Sequence, residues 1–128
     1  MKLLNELHEA LQFIQSKGVT APQTGIILGT GLGNLASKID CEVEIDYIDI
    51  PHFPLSTVEY HKGKLIYGML AGKKVVALQG RFHLYEGYSV QQVTFPVRVL
   101  KQLGIKQLLI SNAAGGLNPS MKKGSLMV

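Results

Sequence analysis

The chain has 128 residues, 46% hydrophobic and 17% charged, which fits one globular domain with a buried core and excludes a disordered or fibrous protein. Its net charge of +4 rests mainly on lysines scattered in ones and twos. That pattern gives no nucleic-acid-binding stripe and suits a mildly basic surface open to small anions. One cysteine, Cys41, excludes an internal disulfide, and neither a signal-peptide core nor a run of membrane-spanning length is visible. The expectation is a cytoplasmic protein with no nucleic-acid or membrane partner.

Residues 2–17 place Leu3, Leu4, Leu7, Leu11 and Ile14 at helical spacing, with Gly18 suited to the position just past the helix end. TGIILG (24–29) is a short apolar run closed by glycine and reads as a buried strand. CEVEIDYIDI (41–50) alternates Cys41, Val43 and Ile45 with Glu42, Glu44 and Asp46, the pattern of a half-exposed strand. KLIYGML (64–70) and KVVALQ (74–79) flank a turn carrying Gly72 and predict a hairpin. From Ser89 onward the chain reads as a helix, with Ser89 and Gln92 as a capping box and Gly104 as the stop. Pro96 lies inside it and implies a kink or a later start. KQLLIS (106–111) is a second buried strand, and SLMV (125–128) is expected to open a further one. An apolar ending of that kind fits a terminal strand that pairs fully, or the front portion of a longer protein.

This order of elements predicts an α/β fold with a mixed β-sheet flanked by helices. Glycine-containing loops follow three of the strands: GTGLGN (29–34), GRFHLYEG (80–87) and NAAGG (112–116). In such sheets ligands gather beyond the carboxyl ends of the strands. If the three strands are parallel neighbours, the three loops share one rim.

Each loop carries groups suited to an anion. GTGLGN fits either a tight structural turn or an anion cradle, with Thr30 adding a hydroxyl donor. It lacks the third glycine of the dinucleotide fingerprint and the Gly-Lys-Ser/Thr of a Walker A loop. Arg81, one of two arginines in the chain, and His83 stand two residues apart, so extended backbone turns both to one side. A guanidinium fork with an imidazole suits phosphate or carboxylate. Tyr85 falls on the same side and could cover an apolar ligand face, Glu86 could accept from the His83 imidazole, and Phe82 and Leu84 are expected to turn inward. Asn112 and Ala113 offer main-chain N–H groups, and His61 is a further candidate phosphate donor. Cys41 has no basic neighbour that would make it a nucleophile, and no metal-ligating set is visible.

The motifs ILGTGLG, HKGKLIYG, GRFHLYEGY, FPVRVL and SNAAGGLNP, in this order, resemble the purine nucleoside phosphorylases. The similarity is to the class with homotrimeric members that prefer inosine and guanosine. It covers essentially all 128 residues, which match the N-terminal part of a single nucleoside phosphorylase domain of three-layer α/β/α form. It implies phosphorolysis of purine ribonucleosides and 2′-deoxyribonucleosides to free base and (deoxy)ribose 1-phosphate. Inorganic phosphate is then a co-substrate, with no cofactor or metal. The resemblance further implies phosphate binding by Thr30, His61, Arg81, His83 and Ala113, and nucleoside binding by Tyr85, Asn112 and Ala113. His83 and Glu86 are the implied catalytic pair, Glu86 holding the imidazole. The family's base-recognition residues fall beyond Val128, so the 128-residue chain alone is expected to be inactive, and a homotrimer is expected at full length. The alternatives are a non-catalytic phosphate-binding or assembly module and, further off, a methylthioadenosine phosphorylase, whose relatives lack RFHLYEGY.

Overall fold

Two kinds of strand pairing meet in the sheet. The computed structural model of the chain describes residues 1–29, 31–55 and 63–128. Among them, helix α1 (Lys2–Ser16) precedes β1 (Thr24–Leu28), a short helix α2 (Gly33–Ala36) and β2 (Asp40–Asp46). There follow β3 (Lys64–Leu70), β4 (Lys73–Gln79), α3 (Val90–Gln102) and β5 (Gln107–Ile110). The strand order is β2-β3-β4-β1-β5, antiparallel from β2 to β4 and parallel across β4, β1 and β5. The expected mixed sheet with flanking helices is present.

The central strand β1 is buried along its whole length, which is why it reads as a continuous apolar run. The pleat divides its side chains and those of β3 and β4 between two faces. Ile27, Leu65, Tyr67, Val76 and Leu78 pack with Leu7, Ala10 and Ile14 of α1 and with Phe95, Val99 and Leu100 of α3. Ile26, Ile66, Val75 and Ala77 turn to the opposite face, where Leu35 and Ala36 of α2 and Ile39 cover them. β3 and β4 form the expected hairpin, and its turn residues Ala71 (φ 49°) and Gly72 (φ 76°) are both left-handed, which suits a two-residue connection. Ser89 caps α3 by accepting from the Gln92 N–H, while the Gln92 side chain accepts from the Ser89 N–H. The helix runs through Pro96 from Val90, so the later start is not taken.

Four expectations need correction. SLMV (125–128) forms no strand and is exposed. Apolar character alone makes no ladder, and among the described residues no strand pairs with this one. Cys41 is exposed rather than inward, because a register shift between Cys41 and Val43 breaks the alternation at the start of β2. β2 also ends at Asp46, and Tyr47–Asp49 form a 3-10 turn that buries Tyr47. β5 is an edge strand with Leu109 and Ile110 each 58% exposed, not the buried strand its composition suggested.

Candidate functional site

The parallel pairing decides where the three glycine loops go. Leu28 lies beside Gln79, and Ile27 beside Ile110, so β1, β4 and β5 end level with one another. Gly29, Gly80 and Ser111 therefore leave the sheet along one edge, and their loops form the anticipated rim.

The rim is held from below by two residues that the sequence did not single out. Ser111 donates its hydroxyl to the Ile27 carbonyl (3.2 Å) and accepts from the Gly29 N–H (3.0 Å), tying the ends of β1 and β5 together. The strands approach so closely there that a Cβ on Gly29 would stand 2.4 Å from the Ser111 carbonyl oxygen. Only glycine fits, and its N–H is committed to Ser111 rather than offered to an anion. At the end of β4, Gly80 takes φ 106°, a conformation that L side chains rarely adopt, and its carbonyl accepts from the Tyr47 hydroxyl at 3.0 Å. The only sequence signal for Tyr47 was an aromatic at the close of an alternating run; its partners are distant in the chain and visible only in the fold.

Arg81 follows Gly80, is half-buried, and lines an apolar cavity of about 170 Å³ together with Ile27, Leu78, Phe82, Pro96 and Ile110. Among the described residues neither Arg81 nor His83 enters an ion pair. A guanidinium can meet an anion with two parallel N–H groups. Phe82 turns inward as expected, packing between Tyr47 (ring centroids 5.5 Å) and Tyr88 (5.6 Å). Leu84 does not: it is 58% exposed, because the backbone leaves the extended form for a 3-10 turn over Leu84–Glu86 and the alternation stops. The His83 imidazole stacks on the Tyr85 ring (4.8 Å, 9° between planes), which puts both on one side of the loop. Tyr85 is 84% exposed, an aromatic face open to a ligand.

Glu86 has a main-chain partner. Its carboxylate accepts from the His83 backbone N–H (2.9 Å), closing the 3-10 turn as a capping residue. It therefore holds the main chain that carries His83. Asn112 and Ala113 lie in the exposed loop after β5, on the same edge as Arg81. Thr30 and His61 lie outside the described residues.

Cys41 sits apart from the rim on β2. Partial desolvation, then the charges of Glu44 and Asp40, push its thiol up from the ordinary value, the opposite of what activates a nucleophilic cysteine. No group of three or more His, Cys, Asp or Glu side chains is placed to hold a metal among the described residues. No helix is long and apolar enough to cross a membrane among the same residues.

Comparison with known proteins gives a consistent result. The phosphorylase superfamily profile matches residues 23–128. Purine nucleoside phosphorylase 1 of Geobacillus stearothermophilus is 57% identical over 122 residues, spanning 95% of this chain and 44% of its own. A solved purine nucleoside phosphorylase in complex with ribose-1-phosphate superposes with a TM-score of 0.86 at 50% identity, over 93% of this chain and 44% of that one. The Schistosoma mansoni purine nucleoside phosphorylase in complex with inosine gives 0.85 at 47% identity, over 92% and 41%. The chain thus spans less than half the length of these relatives.

Proposed function

Because the chain belongs to the phosphorylase superfamily and matches the N-terminal part of purine nucleoside phosphorylases, we propose that it carries the phosphate half of such an active site. The reaction is phosphorolysis of a purine nucleoside. A phosphate oxygen bonds to the anomeric carbon while the bond from that carbon to the base breaks, and the electron pair leaves with the purine. The observation that carries the reading is the single rim built from the ends of β1, β4 and β5, with Arg81 unpaired among the described residues.

The transition state has oxocarbenium character, so the protein's task is to hold the anionic nucleophile against developing positive charge. Arg81 binds phosphate through its fork, and His83 donates a further hydrogen bond. Ala113 and Asn112 offer main-chain N–H groups, with Thr30 and His61 completing the phosphate shell. Tyr85, exposed and stacked on His83, covers the ribose. Glu86 acts through the His83 backbone, fixing the direction in which the imidazole leaves the loop. Inorganic phosphate is a co-substrate, with no resident cofactor or metal. The full-length assembly is a homotrimer working in purine salvage in the cytoplasm.

The test is a chimaera in which residues 1–128 replace the matching part of the Geobacillus stearothermophilus relative. Inosine phosphorolysis near that relative's rate is expected, and Arg81→Ala should raise the phosphate KM about tenfold or more, the scale of one charge-assisted hydrogen bond. A folded chimaera without phosphorolysis, or an unchanged phosphate KM in R81A, would refute the reading.

A further inference from the structure

Resting on the phosphate reading above, we propose that Tyr47 is a positioning residue for the phosphate ligands, fixing the backbone from which Arg81 leaves the sheet. Tyr47 lies directly after β2, is 4% exposed, and touches the rim only from below. Its backbone N–H donates to the Gly63 carbonyl (2.9 Å) and its hydroxyl donates to the Gly80 carbonyl (3.0 Å).

Gly80 is the pivot between β4 and Arg81. With no Cβ and φ at 106°, it is the residue at which the loop could rotate most freely. Rotation of the peptide after Gly80 would swing Arg81 and His83 together away from the rim. The hydroxyl of Tyr47 holds the carbonyl of that peptide. The ring of Tyr47 meanwhile packs on Phe82 at 5.5 Å and on Phe53 at 5.3 Å. Arg81 is thus flanked by two anchors on one side chain, a hydrogen bond to the residue before it and a ring contact to the residue after it. Moving the guanidinium by a backbone change requires breaking at least one of them. A tyrosine hydroxyl is protonated and able to donate at neutral pH, and burial pushes its pKa further up from the ordinary value.

The fold supplies a matched control. Tyr67 is 1% exposed, belongs to the same core, and donates its hydroxyl to the Thr20 carbonyl at 2.6 Å. It sits at the middle of β3, level with Val76 and Gly25, and its hydroxyl reaches Thr20 ahead of β1, away from the rim. Loss of either hydroxyl removes one hydrogen bond to a main-chain carbonyl, but of the two only Tyr47 contacts the Arg81 loop.

The experiment titrates inorganic phosphate into the isotopically labelled 128-residue chain and follows the amide resonances of Arg81, His83 and Ala113. The proteins are the unsubstituted chain, Tyr47→Phe, Tyr67→Phe and Arg81→Ala, with the thermal midpoint of each measured alongside. Y47F should weaken phosphate binding about tenfold, the fold-change expected for one buried hydrogen bond, while Y67F stays within about twofold at a similar loss of thermal midpoint. Wild-type affinity in Y47F overturns the proposal. So does an equal weakening in Y67F, which would mean that general loosening of the core suffices. If Y47F does not fold, Phe82→Leu keeps the hydroxyl bond and removes the ring contact. F82L should then weaken binding about threefold, and unchanged affinity overturns the proposal. No saturable shift in the unsubstituted chain, or R81A binding as tightly as it does, overturns the phosphate reading itself together with the proposal. Failure of Tyr47 alone leaves that reading standing, because the R81A arm reports on it separately.

Discussion

At the scale of single residues, the site is legible where chemistry is unusual and illegible where it is ordinary. Arg81 stood out because it is one of two arginines and sits between glycines among aromatics. Tyr47 and Ser111 carry common side chains, and their importance lies in partners 33 and 82 or more positions away. Tyr47 also leaves a mark on pH dependence. Its folded-state pKa is raised by burial above the ordinary value of 10.0, so the unfolded chain loses this proton at lower pH than the folded one. The unfolded state therefore binds fewer protons at alkaline pH, and stability falls as pH rises. Tyr47's contribution is fully present below the unfolded value and declines above it. The urea midpoint should hold between about pH 7 and about pH 9 and drop by about pH 11, with a shallower drop in Y47F after allowance for its lower starting stability.

At the scale of elements, α3 and the hairpin were readable because their signals are local. Ser89 with Gln92, Gly104, and the Ala71–Gly72 turn each act within a few residues. The end of the reading frame for each strand was harder. β2 stops where a register shift and a 3-10 turn intervene, and Leu84 leaves the core side because the chain coils after His83. Ser111 belongs to this scale, since it joins two strands. Ser111→Ala removes both of its hydrogen bonds at the part-buried junction of β1 and β5 and should cost about 1–3 kcal/mol. Ser89→Ala removes a solvent-exposed cap and should cost about 1 kcal/mol. Urea unfolding of the two variants tests the order: a loss in S111A no larger than about 0.5 kcal/mol would contradict the bridging role.

At the scale of the molecule, the chain superposes on less than half the length of its relatives, and the ends of β1, β4 and β5 form one rim. The cavity that Arg81 lines is about 170 Å³ and bounded mainly by core side chains. On the phosphate-half reading proposed above, the 128-residue chain by itself should bind phosphate but turn over inosine at background rate. Product analysis by chromatography decides this, and sustained hypoxanthine release by the purified chain would overturn it.

The sequence by itself determined the α/β class, α1, α3 and the hairpin, because these depend on periodicity, caps and turn residues within short windows, and it marked GRFHLYEGY by its unusual composition and its family resemblance. Only the tertiary structure decided that β4, β1 and β5 lie side by side and parallel, which brings three loops to one edge. It also decided that Glu86 grips the His83 backbone, that SLMV stays outside the sheet, and that Tyr47 reaches under Gly80. Each of these rests on pairing or contact between segments far apart in the chain. Such contacts are set by the packing of the whole core, and no local pattern of residues encodes them.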